Sequence, residues 1–209
     1  MTVAAKTIRE IRGQVAADSV LLAERLRTEE SLSPEAGFSD LFMEAGGSET
    51  AGVDAYRLGL EYIFEGYLLH YGNSRLLEPD DPNFNLLAGD YMFARGLRAI
   101  ATLEDLVGVE ALAGLVRLCS FIHCEELDPA LAMSAWAITT LRLAAYSRAG
   151  GHDSPGFSGL GEMIWNSGVS DTGELDAVYE QSLAAFPGKK RIELRQRFSN
   201  IDANFRAEA

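Results

Sequence analysis

The stretch Leu86-Leu87-Ala88-Gly89-Asp90-Tyr91-Met92-Phe93-Ala94-Arg95-Gly96-Leu97 decides how this chain is read. Apolar side chains fall on more than one face of a helical wheel, so a helix here has no purely solvent side and belongs inside a bundle. Asn83 can cap its start, and the helical pattern runs to about residues 103–104. Upstream, Leu58, Leu60, Tyr62, Ile63, Phe64, Leu68 and Leu69 predict a long helix over 53–77, which Glu78-Pro79-Asp80-Asp81-Pro82 breaks. Downstream, helices are expected over 109–127 and 129–149, the latter opened by Asp128-Pro129 and closed by Gly150-Gly151.

Outward from this centre the chain becomes more polar. Residues 4–27 place Ile8, Ile11, Val15, Val20, Leu22 and Leu26 at helical spacing and predict an amphipathic first helix. Residues 28–56 hold seven acids and no base, which reads as a loop-rich acidic connection with one short helix near Ser39–Ala45. Residues 150–173, rich in Gly, Ser and Asp around Phe157 and Trp165, predict a loop with one short helix. Helices at 174–186 and 190–205 close the chain around Pro187-Gly188. Nothing calls for a sheet or an internal repeat. The expectation is an all-α fold: a single helical domain over 1–209, with its core at 53–150 and a C-terminal helix pair at 174–205.

The chain has 209 residues, 47% of them hydrophobic, with 31 acids against 18 bases and a net charge of −13. That balance repels phosphate backbones and argues against nucleic-acid binding. The tail from Gly188 carries +3 (6 bases less 3 acids) and the preceding residues −16 (12 less 28). Two cysteines exclude a disulfide scaffold. The N-terminus lacks an apolar signal core, and no run approaches the length of a transmembrane helix, so a cytoplasmic location is expected.

Few side chains suggest chemistry. Cys119 and Cys124 are five residues apart, ~140° around a helix, a poor zinc pair. Cys119 and His123 share a face, which suits a metal or a thiol–imidazole pair, or simply a buried cysteine beside a hydrogen-bonded histidine. Glu61 and Glu65 share a face too. On an inward face they would hold Mg²⁺ or raise each other's pKa; as a solvated stripe, the simpler reading, they would do neither. Nucleophile elbows, phosphate loops and dinucleotide fingerprints are missing.

Residues 86–97 resemble the Leu-Leu-Ala-Gly-Asp-Tyr helix of the trans-isoprenyl diphosphate synthases, all-α enzymes that elongate polyprenyl diphosphates. The likeness extends more weakly over roughly 53–150. It implies an isoprenoid-synthase-like helical bundle, here shortened. In that family the preceding helix ends in His-Asp-Asp-x-x-Asp, whose carboxylates bind Mg²⁺ and an allylic diphosphate. With His70 on the family histidine, the aspartates become Tyr71, Gly72 and Arg75. The segment from Val116 to Cys119 and on to Glu125-Glu126-Leu127 is similar to the helix lining the lower prenyl pocket. Residues 131–151 are similar to the next helix, with Ile138-Thr139-Thr140 where the family has a Lys-Thr pair. The isopentenyl-diphosphate segment and the second aspartate motif have no counterpart.

Tyr and Arg cannot supply hard-cation ligands, although Arg75 could meet a phosphate directly. The resemblance therefore implies a protein without catalytic residues, a metal site or a cofactor, similar to the small non-catalytic subunit of heterodimeric prenyl diphosphate synthases. The alternatives are a helical module that holds a prenyl chain or lipid, and a divergent Mg²⁺-dependent prenyltransferase using Glu61, Glu65 and Glu126. Ligand-pocket candidates are Glu61, Glu65, His70, Arg75, Asp90 and Glu126. Apolar residues on the two helices over 83–127 are expected to exceed what one chain can bury, so Phe93, Leu112, Leu115 and Phe121 are interface candidates for a homodimer or for a heterodimer with a full-length synthase.

Overall fold

The computed structural model describes residues 2–29, 37–78, 81–150 and 172–208. The loop expected over 150–173, with Phe157 and Trp165, lies outside them almost entirely. Nine α-helices are described: α1 (Val3–Asp18), α2 (Val20–Ala23), α3 (Phe38–Glu44), α4 (Val53–Tyr71), α5 (Pro82–Ala101), α6 (Leu106–Cys124), α7 (Pro129–Arg148), α8 (Thr172–Ala184) and α9 (Gly188–Glu208). A 3₁₀ turn, Gly47–Glu49, precedes α4. No strand occurs among the described residues; Leu26 and Leu77 form one isolated antiparallel bridge. The all-α expectation holds.

Short polar side chains set the helix starts. Asp81 accepts from Asn83 N at 3.0 Å with Pro82 in the first turn of α5, so the cap is Asp81 and not Asn83. Proline's missing N–H costs nothing at that position. Asp128 does the same for α7. Asp105 caps α6 by accepting from Gly108 N and also receives the hydroxyls of Tyr56 and Tyr146, tying α4, α6 and α7 together.

Two expected helices stop short. The first ends at Asp18, because Ser19 is extended and its hydroxyl caps the short α2. The central helix ends at Tyr71 rather than near residue 77. Residues 72–78 fold back beside 25–29: Arg27 N donates to Leu76 O at 2.9 Å, Glu78 N donates to Arg25 O at 2.8 Å, and Arg27 pairs with Glu78. Tertiary pairing here overrides a helical pattern that continues in the sequence.

α4 is the central element, with apolar contacts on all sides. One core cluster packs Phe38, Phe42, Leu60, Phe64, Tyr67 and Trp136 with the inner faces of α6 to α9. A second packs Ile8, Ile11 and Val15 of α1 against Tyr62, Leu69, Phe84 and Met92. α4 and α5 run antiparallel at very close approach, through glycines spaced seven apart on each helix. Gly59 faces Gly96 and Gly66 faces Gly89. A Cβ on Gly96 would lie 2.8 Å from the Gly59 carbonyl oxygen, and one on Gly66 would lie 2.9 Å from that of Gly89. The residue four positions after each glycine covers the opposing glycine: Ile63 over Gly96, His70 over Gly89, Phe93 over Gly66 and Ile100 over Gly59.

α6 is the one described helix long and apolar enough to cross a bilayer by length and composition, which the sequence reading did not foresee. Its inner face, Leu112, Leu115, Leu118, Cys119 and Ile122, belongs to the first core cluster.

Candidate functional site

The densest polar chemistry lies inside the bundle, on α4. Glu61 and Glu65, expected on a solvated stripe, are both completely buried. The chain supplies their counter-charge from the turn after α4. Arg75 Nε donates to Glu65 Oε1 at 2.5 Å and Arg75 Nη2 donates to Glu61 Oε2 at 2.7 Å. The remaining carboxylate oxygens are also taken: Ser39 N donates to Glu61 Oε1 at 2.8 Å, and Ser74 Oγ donates to Glu65 Oε2 at 2.8 Å. Ser74 Oγ in turn accepts from Leu76 N and Leu77 N. The guanidinium lies over the Phe64 ring, 4.9 Å from its centroid. Burial works against the Arg75 charge, and the fields of Glu65 and Glu61 more than offset it, so its pKa is held above the ordinary value.

Arg75 is therefore paired with two carboxylates of its own chain rather than held free for a phosphate. Each oxygen of Glu61 and Glu65 already accepts a hydrogen bond, and Glu126 is exposed beyond the end of α6. The structure does not bring the three acids of the divergent-enzyme alternative together. Among the described residues there is no group of three or more His, Cys, Asp or Glu placed to hold a metal ion.

Asp40 extends this network, and the sequence reading missed it. It accepts from Val3 N at 2.7 Å and Gly37 N at 3.1 Å, capping α1 and α3 at once. Burial raises its pKa against those hydrogen bonds, and Glu61 adds to the rise.

His70 and Asp90 meet on the outer side of the α4–α5 seam, with His70 Nε2 3.4 Å from Asp90 Oδ1. The imidazole stacks on Phe93, with centroids 5.1 Å apart. Burial lowers the His70 pKa, partly countered by Asp90.

A third group closes the C-terminal end of α4. The Tyr71 ring lies parallel to His123 at 4.0 Å and its hydroxyl donates to Ser120 Oγ. The Tyr67 hydroxyl is 3.1 Å from His123 Nε2, and Phe205 packs against Tyr67. His123 thus partners tyrosines rather than Cys119. The buried Cys119 thiol is pushed well above its ordinary pKa by desolvation, the opposite of an activated nucleophile.

The interface candidates divide. Leu112 and Leu115 are interior, within the chain's own core; α7, α5 and α4 pack on α6 and cover the face that was expected to be left over. Phe93 and Phe121 are half-buried against the core. The large apolar side chains that remain exposed are Leu86 and Leu87 on α5, Val20 and Leu21 on α2, Leu106 and Ile192.

Comparisons with protein-family models, with curated proteins and with solved structures found no match to this chain.

Proposed function

We propose that this chain is a non-catalytic, isoprenoid-synthase-like protein, a regulatory or chain-length-determining subunit of a prenyl diphosphate synthase in the cytoplasm. The observation that carries the reading is the end of α4. Where the resembled enzymes have metal-binding aspartates, this chain has Tyr71 stacked on His123, Gly72 ending the helix, and Arg75 held by Glu61 and Glu65. Stabilising a departing diphosphate takes several carboxylates converging on Mg²⁺. An arginine held by two buried glutamates has the wrong charge for that work. The chain's contribution under this reading is its shape and its association with a catalytic partner, with Leu86 and Leu87, which open the resembled stretch, exposed on α5. A homodimer would use the same surface.

A second reading, a helical module that holds a prenyl chain or lipid, draws support from the half-buried aromatic group of Tyr71, His123 and Phe205. Purified chain, allylic diphosphate, labelled isopentenyl diphosphate and Mg²⁺ test the first reading. No elongated product is expected; turnover abolished by a chelator overturns it. Native mass spectrometry of the same preparation tests the second through a co-purifying lipid mass.

A further inference from the structure

Among the described residues, Arg98 keeps an unpartnered guanidinium at the edge of a groove, in a chain with 31 acids for 18 bases. Several guanidinium groups find a carboxylate. Arg57 pairs with Glu10 and Asp54, Arg95 with Asp18, Arg27 with Glu78, Arg197 with Glu44 and Arg206 with Asp202. The Arg98 guanidinium has no hydrogen bond, ion pair or ring partner among the described residues. It lines a groove of about 310 Å³ between α1, α4 and α5.

The groove is built for one kind of guest. Ala55, Leu58 and Ala99 give it apolar walls. Its polar lining is already committed: Tyr62 donates to Gln14 Oε1 at 2.8 Å, Arg95 lies over the Tyr62 ring and also reaches Gln14, and the Thr102 hydroxyl donates to Ala99 O. Arg98 alone keeps its donors. It stands one helical turn from Arg95, a like-charged neighbour that a bound anion would relieve. A guanidinium presents a fork of N–H groups that matches a carboxylate or a phosphate.

We infer that this groove binds a small amphipathic anion, its carboxylate or phosphate head on Arg98 and a short hydrocarbon body along Leu58, Ala55 and Ala99. The volume is at the small end for a ligand pocket and suits a short hydrocarbon body. The site lies on the opposite side of α4 from the first core cluster and does not depend on the prenyl-synthase reading.

The experiment is a titration of the full chain, followed by NMR, with hexyl phosphate and hexanoate, alongside 1-hexanol and inorganic phosphate. Saturable shifts at Ala55, Leu58 and Ala99 are expected with at least one of the two amphiphilic anions; which one binds identifies the head group. Arg98 is exposed, so Arg98→Gln should fold, and it should weaken binding by about tenfold or more through loss of charge-assisted hydrogen bonds. Arg98→Lys should fall between the two. The inference is overturned if neither anion shifts these residues, if Arg98→Gln binds as tightly as the parent, or if 1-hexanol or inorganic phosphate alone binds as well as the amphiphile.

Discussion

At the scale of single residues, Arg75 makes the sharpest energetic claim. Two carboxylates with no exposure depend on one guanidinium for their charge balance. Removing that partner strands both charges away from water. Arg75→Met should therefore cost about 3–5 kcal/mol in urea unfolding. Glu61→Gln/Glu65→Gln/Arg75→Met removes all three charges together and should recover a large part of the loss. If Arg75→Met unfolds at the parent's midpoint, the ion triad is not where the structure places it. The histidines give a pH dependence of defined sign. Burial lowers the folded-state pKa of His70 and of His123 below the ordinary 6.5. The unfolded chain thus binds more protons as pH falls through that value. Their contribution is fully present above about pH 6.5 and is lost as pH falls toward the folded values. The urea midpoint should drop across that window, and His70→Gln/His123→Gln should flatten the drop. Asp40 acts with the opposite sign and lower on the scale. Its raised pKa makes the folded state gain a proton first, so stability from this group rises as pH falls toward 3.8.

At the scale of elements, the glycine seam between α4 and α5 governs. Gly→Ala inside a helix normally stabilises by about 0.5–1 kcal/mol through chain entropy. Gly13 in α1 and Gly114 in α6 have open space where a Cβ would go, and alanine there should give that gain. Gly66 and Gly96 have a facing carbonyl within 3 Å of the Cβ position. Backbone cannot step aside as a side chain can, so Gly66→Ala and Gly96→Ala should cost about 1–3 kcal/mol. Thermal melts of the four variants should split into these two pairs; a uniform response would contradict the close approach. The seam also shows what the sequence made legible. The helices around 83–104, 109–127 and 129–149 could be read from periodicity, the last also from its Asp-Pro start, and each stands within a few residues of expectation. The seven-residue spacing of Gly59 with Gly66 and of Gly89 with Gly96 was equally visible, yet glycine carries no hydropathy signal and passes for punctuation. The early end of α4 was not legible. It depends on pairing between residues 25–29 and 72–78, a contact far apart in the chain. The burial of Glu61 and Glu65 was hidden for the same reason, because their partner Arg75 reaches them only after the chain turns back.

At the scale of the whole molecule, the balance of apolar surface changes what can associate. α7, α5 and α4 pack around α6 and bury Leu112 and Leu115, so Leu115→Asp should unfold the chain rather than merely dissociate it. The exposed pair Leu86–Leu87 is the place to test assembly: Leu87→Asp should leave the circular dichroism unchanged and shift any dimer seen by light scattering toward monomer. A parent that is already monomeric at micromolar concentration would remove the homodimer. The central claim, that the chain shapes a synthase's product without doing the chemistry, is tested most directly by one product-length assay. A full-length prenyl diphosphate synthase from the same organism is supplied with labelled isopentenyl diphosphate, an allylic primer and Mg²⁺, with and without this chain, beside the chain alone. The account predicts no product from the chain alone and a shifted chain-length distribution when the two proteins are mixed. Mg²⁺-dependent elongation by the chain alone, or a distribution that stays the same at saturating chain, would contradict it.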